Sequence, residues 1–131
     1  MKFFLVIICM AFYINSNAQT ETVAYDTIYT KPEVFASYPG GDSAWKVYVK
    51  KNLKYPKKAW WEEVETEITV KVVVDKTGKI TEARHLTVAG TYGFEKEAIK
   101  VVMNSDKWIP AMHRGQPVAC EGTLVIPFRL K

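Results

Sequence analysis

Two histidines, two cysteines and a few neighbouring carboxylates are the residues of this chain that could carry catalysis or bind a metal. A metal site needs several nitrogen, sulfur or oxygen ligands converging on one point. Neither His85 nor His113 has a second histidine, a cysteine or a carboxylate at a ligand spacing. A cysteine beside a histidine would supply a thiol nucleophile, which is the enzymatic alternative for Cys120. Cys120, however, shares strand parity with Leu124, Ile126 and Phe128 and reads as a small buried hydrophobe. Glu62-Glu63, Glu65 and Glu67 crowd the start of an alternating run and read as a solvated face. With no glycine-rich phosphate loop and no nucleophile elbow, the expectation is no enzyme, no metal and no cofactor.

What remains is surface and packing. Trp45 and Trp108 fall where a small domain needs core area, and Trp108 is expected to be a core anchor after the second long helix. Trp60 and Trp61 are adjacent and cannot both point inward from one helix, so at least one should be exposed, an interface signal. The formal net charge is +4 and is spread along the chain without a basic stripe or aromatic-basic interleaving, which argues against nucleic acid.

The elements that position these residues can be read in order. Lys2, the apolar run 3–14 and the small-residue exit Ser16-Asn17-Ala18 have the form of a secretory signal peptide over residues 1–18. The run is shorter than the ~20 residues that span a bilayer, so the mature chain should hold no membrane span. Cleavage there removes Cys9 and leaves Cys120 without an intramolecular disulfide partner. Residues 19–34 form an extended lead-in, ordered only where it docks, and residues 35–131 form one domain.

Asp42 is placed to cap a helix whose inner face is Trp45, Tyr48, Val49 and Leu53, with Tyr55-Pro56 ending it. Residues 57–63 suit a short helical turn. The organising strand follows: Ile68, Val70, Val72 and Val74 alternate with Glu67, Thr69 and Lys71, and Val73 makes its end apolar on both sides. That strand should lie in the middle of the sheet. Asp75-Lys76-Thr77-Gly78 signals a hairpin into a return strand over 79–88. There the phases of Ile80, Leu86 and Val88 conflict with Ala83, and a bulge would reconcile them. Phe94, Ala98, Val101 and Val102 form the inner face of a second helix, and a long amphipathic strand begins at Val118. The resulting fold class is α+β: two helices packed on one face of a three-stranded antiparallel sheet, in the order helix-strand-strand-helix-strand.

An ordered set of short motifs runs through these elements. It comprises Tyr38-Pro39-Gly40-Gly41, Tyr55-Pro56 with Ala59, Val74-Asp75-Lys76-Thr77-Gly78-Lys79-Ile80, Lys107-Trp108-Ile109-Pro110, Gly115-Gln116-Pro117-Val118 and Ile126-Pro127-Phe128-Arg129-Leu130. In this order they resemble a TonB C-terminal domain across roughly residues 35–130. The resemblance implies a non-enzymatic periplasmic domain that binds a short segment of outer-membrane receptors and serves energy-coupled uptake. Two departures stand out: Thr66 occupies a common glycine position, and Ser105-Asp106 replaces a common Met-Pro. A cleavable leader also takes the place of the membrane anchor of full-length transducers.

The expected binding surface is the last strand, taken as a sheet edge. An edge strand offers unpaired amides and carbonyls for strand addition. Pro127 is tolerated there because its missing amide would point outward. Contact is expected to centre on Ala119, Cys120, Glu121, Gly122, Thr123, Leu124 and Val125. The partner would be a protein or peptide, either a receptor segment or a second copy of this chain.

Overall fold

The computed structural model of the chain describes residues 27–105 and 107–131. The leader expected over residues 1–18 and most of the lead-in lie outside the described residues. The elements in chain order are β1 (Ile28–Tyr29), α1 (Gly41–Asn52), α2 (Lys57–Trp61), β2 (Thr66–Val74), β3 (Ile80–His85), α3 (Phe94–Met103), β4 (Ala111–His113) and β5 (Gln116–Phe128).

The fold class is α+β as expected, but among the described residues the count is three helices and a five-stranded sheet rather than two and three. The additional elements are short. The helical turn expected over 57–63 forms α2, and β1 and β4 are strands of two and three residues. Neither strand is long enough to display a period of two.

β2 occupies the position its composition requires. It pairs antiparallel with β3 on one side and with β5 along its full length on the other, from Thr66↔Phe128 to Val74↔Cys120. Its side chains Ile68, Val70, Val72 and Val74 are buried in the core, and Val73 is buried on the opposite face. The β3 phase conflict resolves as a bulge: Val74 pairs with Ile80 but Val73 pairs with Glu82, leaving Thr81 as the extra residue. Ile80 is buried and Ala83 packs against the core, whereas Leu86 and Val88 are exposed beyond the strand end.

Phe94, Ala98, Val101 and Val102 of α3 are all buried, and Val49 of α1 joins them, with Trp45, Tyr48 and Leu53 partly buried alongside. The Tyr48 hydroxyl ties the helices by donating to the Val101 carbonyl at 2.8 Å. Asp42 is not the cap of α1. Gly40 stands at that position with φ 90, and Asp42 lies in the first turn, where its charge still favours the helix dipole.

Trp108 is the anchor its place in the chain suggested. It is 8% exposed, its ring lies against Tyr38 and Trp45, and its indole Nε1 donates to Ser105 Oγ at 3.0 Å. Its backbone also closes the core end of the sheet, since the Trp108 amide donates to the Gly78 carbonyl at 2.8 Å. Gly78 has φ +88, and a Cβ there would sit 1.9 Å from the Trp108 carbonyl oxygen, so only glycine fits this close approach.

Candidate functional site

Which groups of β5 are free to bind follows from the direction of each backbone amide. In an antiparallel ladder, successive residues turn their amide and carbonyl alternately toward and away from a given neighbour. Thr69 turns both toward β3: its carbonyl accepts from the Leu86 amide at 2.7 Å and its amide donates to Thr87 Oγ1 at 3.2 Å. Its β5 partner is Val125. Val125 therefore points its backbone groups away from β2, and so do the other odd-numbered residues Glu121, Thr123 and Pro127. Pro127 agrees with this assignment, because a proline inside the ladder must sit where no amide is needed.

The far edge of β5 is covered at one end only, where β1 pairs with Ala119 and Cys120 in parallel. The hairpin strand β4 pairs with Gln116, Pro117 and Val118, the residues of β5 that precede its pairing with β2. That hairpin turns through Arg114 at φ 51 and Gly115 at φ 73, the two left-handed residues of a tight two-residue connection. From Glu121 to Phe128, β2 is the only strand paired with β5 among the described residues. The outward amides of Glu121, Thr123 and Val125, and the carbonyls of these three and Pro127, thus form an unpaired edge.

Of the residues expected to form the surface, Glu121, Gly122, Thr123, Leu124 and Val125 lie on this open stretch. Ala119 and Cys120 are buried beneath the β1 pairing, with Cys120 only 3% exposed, as its strand parity implied. Glu121 is engaged across the sheet with Lys71 Nζ at 3.0 Å, and at the far end Arg129 pairs with Glu67 at 2.6 Å. The Leu130 amide donates to Glu65 Oε1 at 2.7 Å, which holds the chain in register just past the strand.

Two hollows flank the open edge. One, of about 580 Å³, is bordered by Phe35, Val72, Trp108, Cys120, Gly122 and Leu124. The other, of about 490 Å³, is a groove between α1 and the end of β5, with Lys46, Val49, Lys50 and Leu53 on one wall and Val125 and Pro127 on the other. The contribution of Phe35 and of the α1 residues is a long-range feature. Nothing in the local pattern of residues 35–53 signals which strand they will flank.

The other candidate residues do not gather. Among the described residues, no group of three or more His, Cys, Asp or Glu is placed to hold a metal ion. His113 lies against Tyr29, with ring centroids 4.7 Å apart, while His85 ends β3 on the other side of β2. Trp60 and Trp61 are both exposed, at 52% and 76%, and their rings meet edge to face at 4.9 Å.

No helix among the described residues is long and apolar enough to cross a membrane. A comparison with curated protein sequences found no match. Residues 51–130, which run from the end of α1 through β5, match the family described as Gram-negative bacterial TonB protein C-terminal, a transport-associated and non-enzymatic family. With more than half of its length covered by that match, this chain belongs to the TonB C-terminal domain family.

Proposed function

We propose that the protein is a periplasmic protein-binding module of energy-coupled transport. It takes an extended segment of an outer-membrane receptor as an added strand on β5. The observation that carries this reading is the unpaired edge from Glu121 to Pro127, whose outward amides and carbonyls have no strand beside them among the described residues. Main-chain hydrogen bonds supply the affinity in strand addition, and side-chain pockets supply the choice of partner. β1 ends the usable edge at Cys120 and Pro127 ends its amide donors at the other, so the added segment is short. A contact of this size gives weak, reversible binding, on the order of micromolar. Export by cleavage of residues 1–18 places the module in the compartment where such a receptor segment is presented.

The test is amide hydrogen exchange on the protein, free and with a short, capped, Val/Thr-rich peptide. Added protection is expected at Glu121, Thr123 and Val125. Thr123→Pro removes an outward donor without touching the β2 ladder, so it should fold and lose binding. Unchanged affinity in a folded Thr123→Pro variant would refute the reading. Should that variant fail to fold, the wild-type exchange pattern still decides: saturating peptide without protection at these amides overturns strand addition. A dimer mass in size exclusion without peptide would assign the edge to a second copy of the chain instead.

A further inference from the structure

Gly122 lies near the β1 end of the open edge, between the outward-facing Glu121 and Thr123. A glycine inside a strand costs stability and leaves room for a neighbour to approach closely. Its parity is that of Cys120, Leu124 and Ile126, the side of the sheet on which the core is built. A Cβ built on Gly122 meets nothing within 4 Å. The space it would enter belongs to the hollow of about 580 Å³ bordered by Phe35, Val72, Trp108, Cys120 and Leu124. Phe35 is 55% exposed there.

Residues directly opposite one another on neighbouring strands point to the same face and touch. A strand added to β5 therefore sends the side chain opposite Gly122 toward this hollow. A large apolar side chain there would bury the exposed part of Phe35 and the half-buried Leu124, whereas a small one would leave both wet.

Farther along the same edge, the groove beside α1 has a different rim. Lys46 and Lys50 are one helical turn apart on the same face, and both line it. Neither is in an ion pair among the described residues, whereas Arg129 in the same groove is held by Glu67 at 2.6 Å. The chain as a whole carries a formal charge of +4. A second copy would bring like charge to this rim, and a strand with a carboxylate at that end would bring the complement.

We infer that the open edge selects an extended segment of another protein with a large apolar side chain opposite Gly122 and an acidic residue at the end lying beside Lys46 and Lys50. The inference rests on the strand-addition reading and names the sequence class of the partner. β1 fixes the start of the register, the hollow at Gly122 reads the apolar anchor, and the lysines on α1 read the charge.

The test uses three short, capped, Val/Thr-rich peptides. One has a central Phe and a Glu at either end, the second has Ala in place of Phe, and the third has Gln in place of both Glu residues. On the wild-type protein, the Phe peptide should bind roughly tenfold more tightly than the Ala peptide. Gly122→Leu fills the hollow from the protein's own strand and should erase that ratio, while the Ala peptide still protects Glu121, Thr123 and Val125 from exchange. The preference for Glu over Gln should be about threefold at low salt and should vanish in a Lys46→Gln, Lys50→Gln double variant.

Equal affinity for the Phe and Ala peptides on wild-type protein, with the edge amides still protected, would overturn this inference and leave strand addition standing. Absence of protection with every peptide would remove both. Since the first comparison uses wild-type protein, the outcome does not depend on Gly122→Leu folding. A dimer that forms without peptide and is lost in Gly122→Leu would give the hollow to a second copy and refute the proposal.

Discussion

Replacing Trp108 with alanine should cost about 4 kcal/mol of folding stability. The side chain is 8% exposed, so nearly all of its apolar surface is withdrawn from water on folding. Truncation of a buried aromatic residue to alanine costs roughly 3–5 kcal/mol once the cavity is included. Two ring contacts are lost as well, to Trp45 at 5.1 Å and to Tyr38 at 5.6 Å in an edge-to-face arrangement. Ser105 Oγ loses the indole donor at 3.0 Å but keeps its own bond to the Val102 carbonyl at 2.6 Å, so no orphaned hydroxyl adds to the loss. The backbone bond to Gly78 remains, which keeps the estimate near the middle of the range. A small domain holds about 5–15 kcal/mol in total and loses roughly 1–3 kcal/mol per molar urea, so the midpoint should fall by about 2 M. Urea titration followed by far-UV circular dichroism, which does not depend on tryptophan emission, reads this directly. Trp108→Phe retains most of the buried area and should lose less than half as much. A Trp108→Ala midpoint equal to that of the wild type would show that the ring is not the anchor of the β-sheet end.

Gly78→Ala combines a φ of +88 with a Cβ 1.9 Å from the Trp108 carbonyl oxygen, so it should destabilise by about 3 kcal/mol or more in the same titration. Trp60→Ser and Trp61→Ser touch exposed rings and should each change folding stability by no more than about 0.5 kcal/mol, which thermal melts can confirm. Partial burial pushes the Asp75 carboxyl up, but the Thr77 hydroxyl and the Lys79 and Thr77 amides outweigh it and hold the group below the usual carboxylate range. A depressed folded value means that this contribution is present above the unfolded value and is lost as pH falls through the folded one. Stability should therefore drop on acidification below about pH 4, and Asp75→Asn should flatten that drop in melts run across the acid range.

The parts of this fold legible in the sequence are those written in local periodicity. The alternation from Ile68 to Val74 specifies a strand with one buried face, and its apolar end at Val73 specifies partners on both sides, as β3 and β5 prove to be. The spacing of Phe94, Ala98, Val101 and Val102 specifies the buried stripe of α3, and the mismatch of Ile80 with Ala83 specifies a bulge, found at Thr81. Even the direction of an edge is encoded, because Pro127 can stand only where an amide is not needed. The chain's own residues between 51 and 130 also determine its family.

Tertiary structure alone decided how much of that edge is open and what stands beside it. β1 is two residues long and meets Ala119 and Cys120 across some ninety positions of chain, so no local pattern could announce it or the loss of those two residues from the open stretch. β4 is created by a hairpin turn rather than by a strand period, so its pairing with Gln116 to Val118 is equally silent in the local pattern. Lys46 and Lys50 come to line the groove beside β5 only because α1 is laid along the end of that strand. Periodicity records which face of an element is buried because that depends on neighbours a few residues away. Which edge stays unpaired, and which side chains rim it, depends on contacts between distant segments, which exist only once the chain has closed its loops around the core.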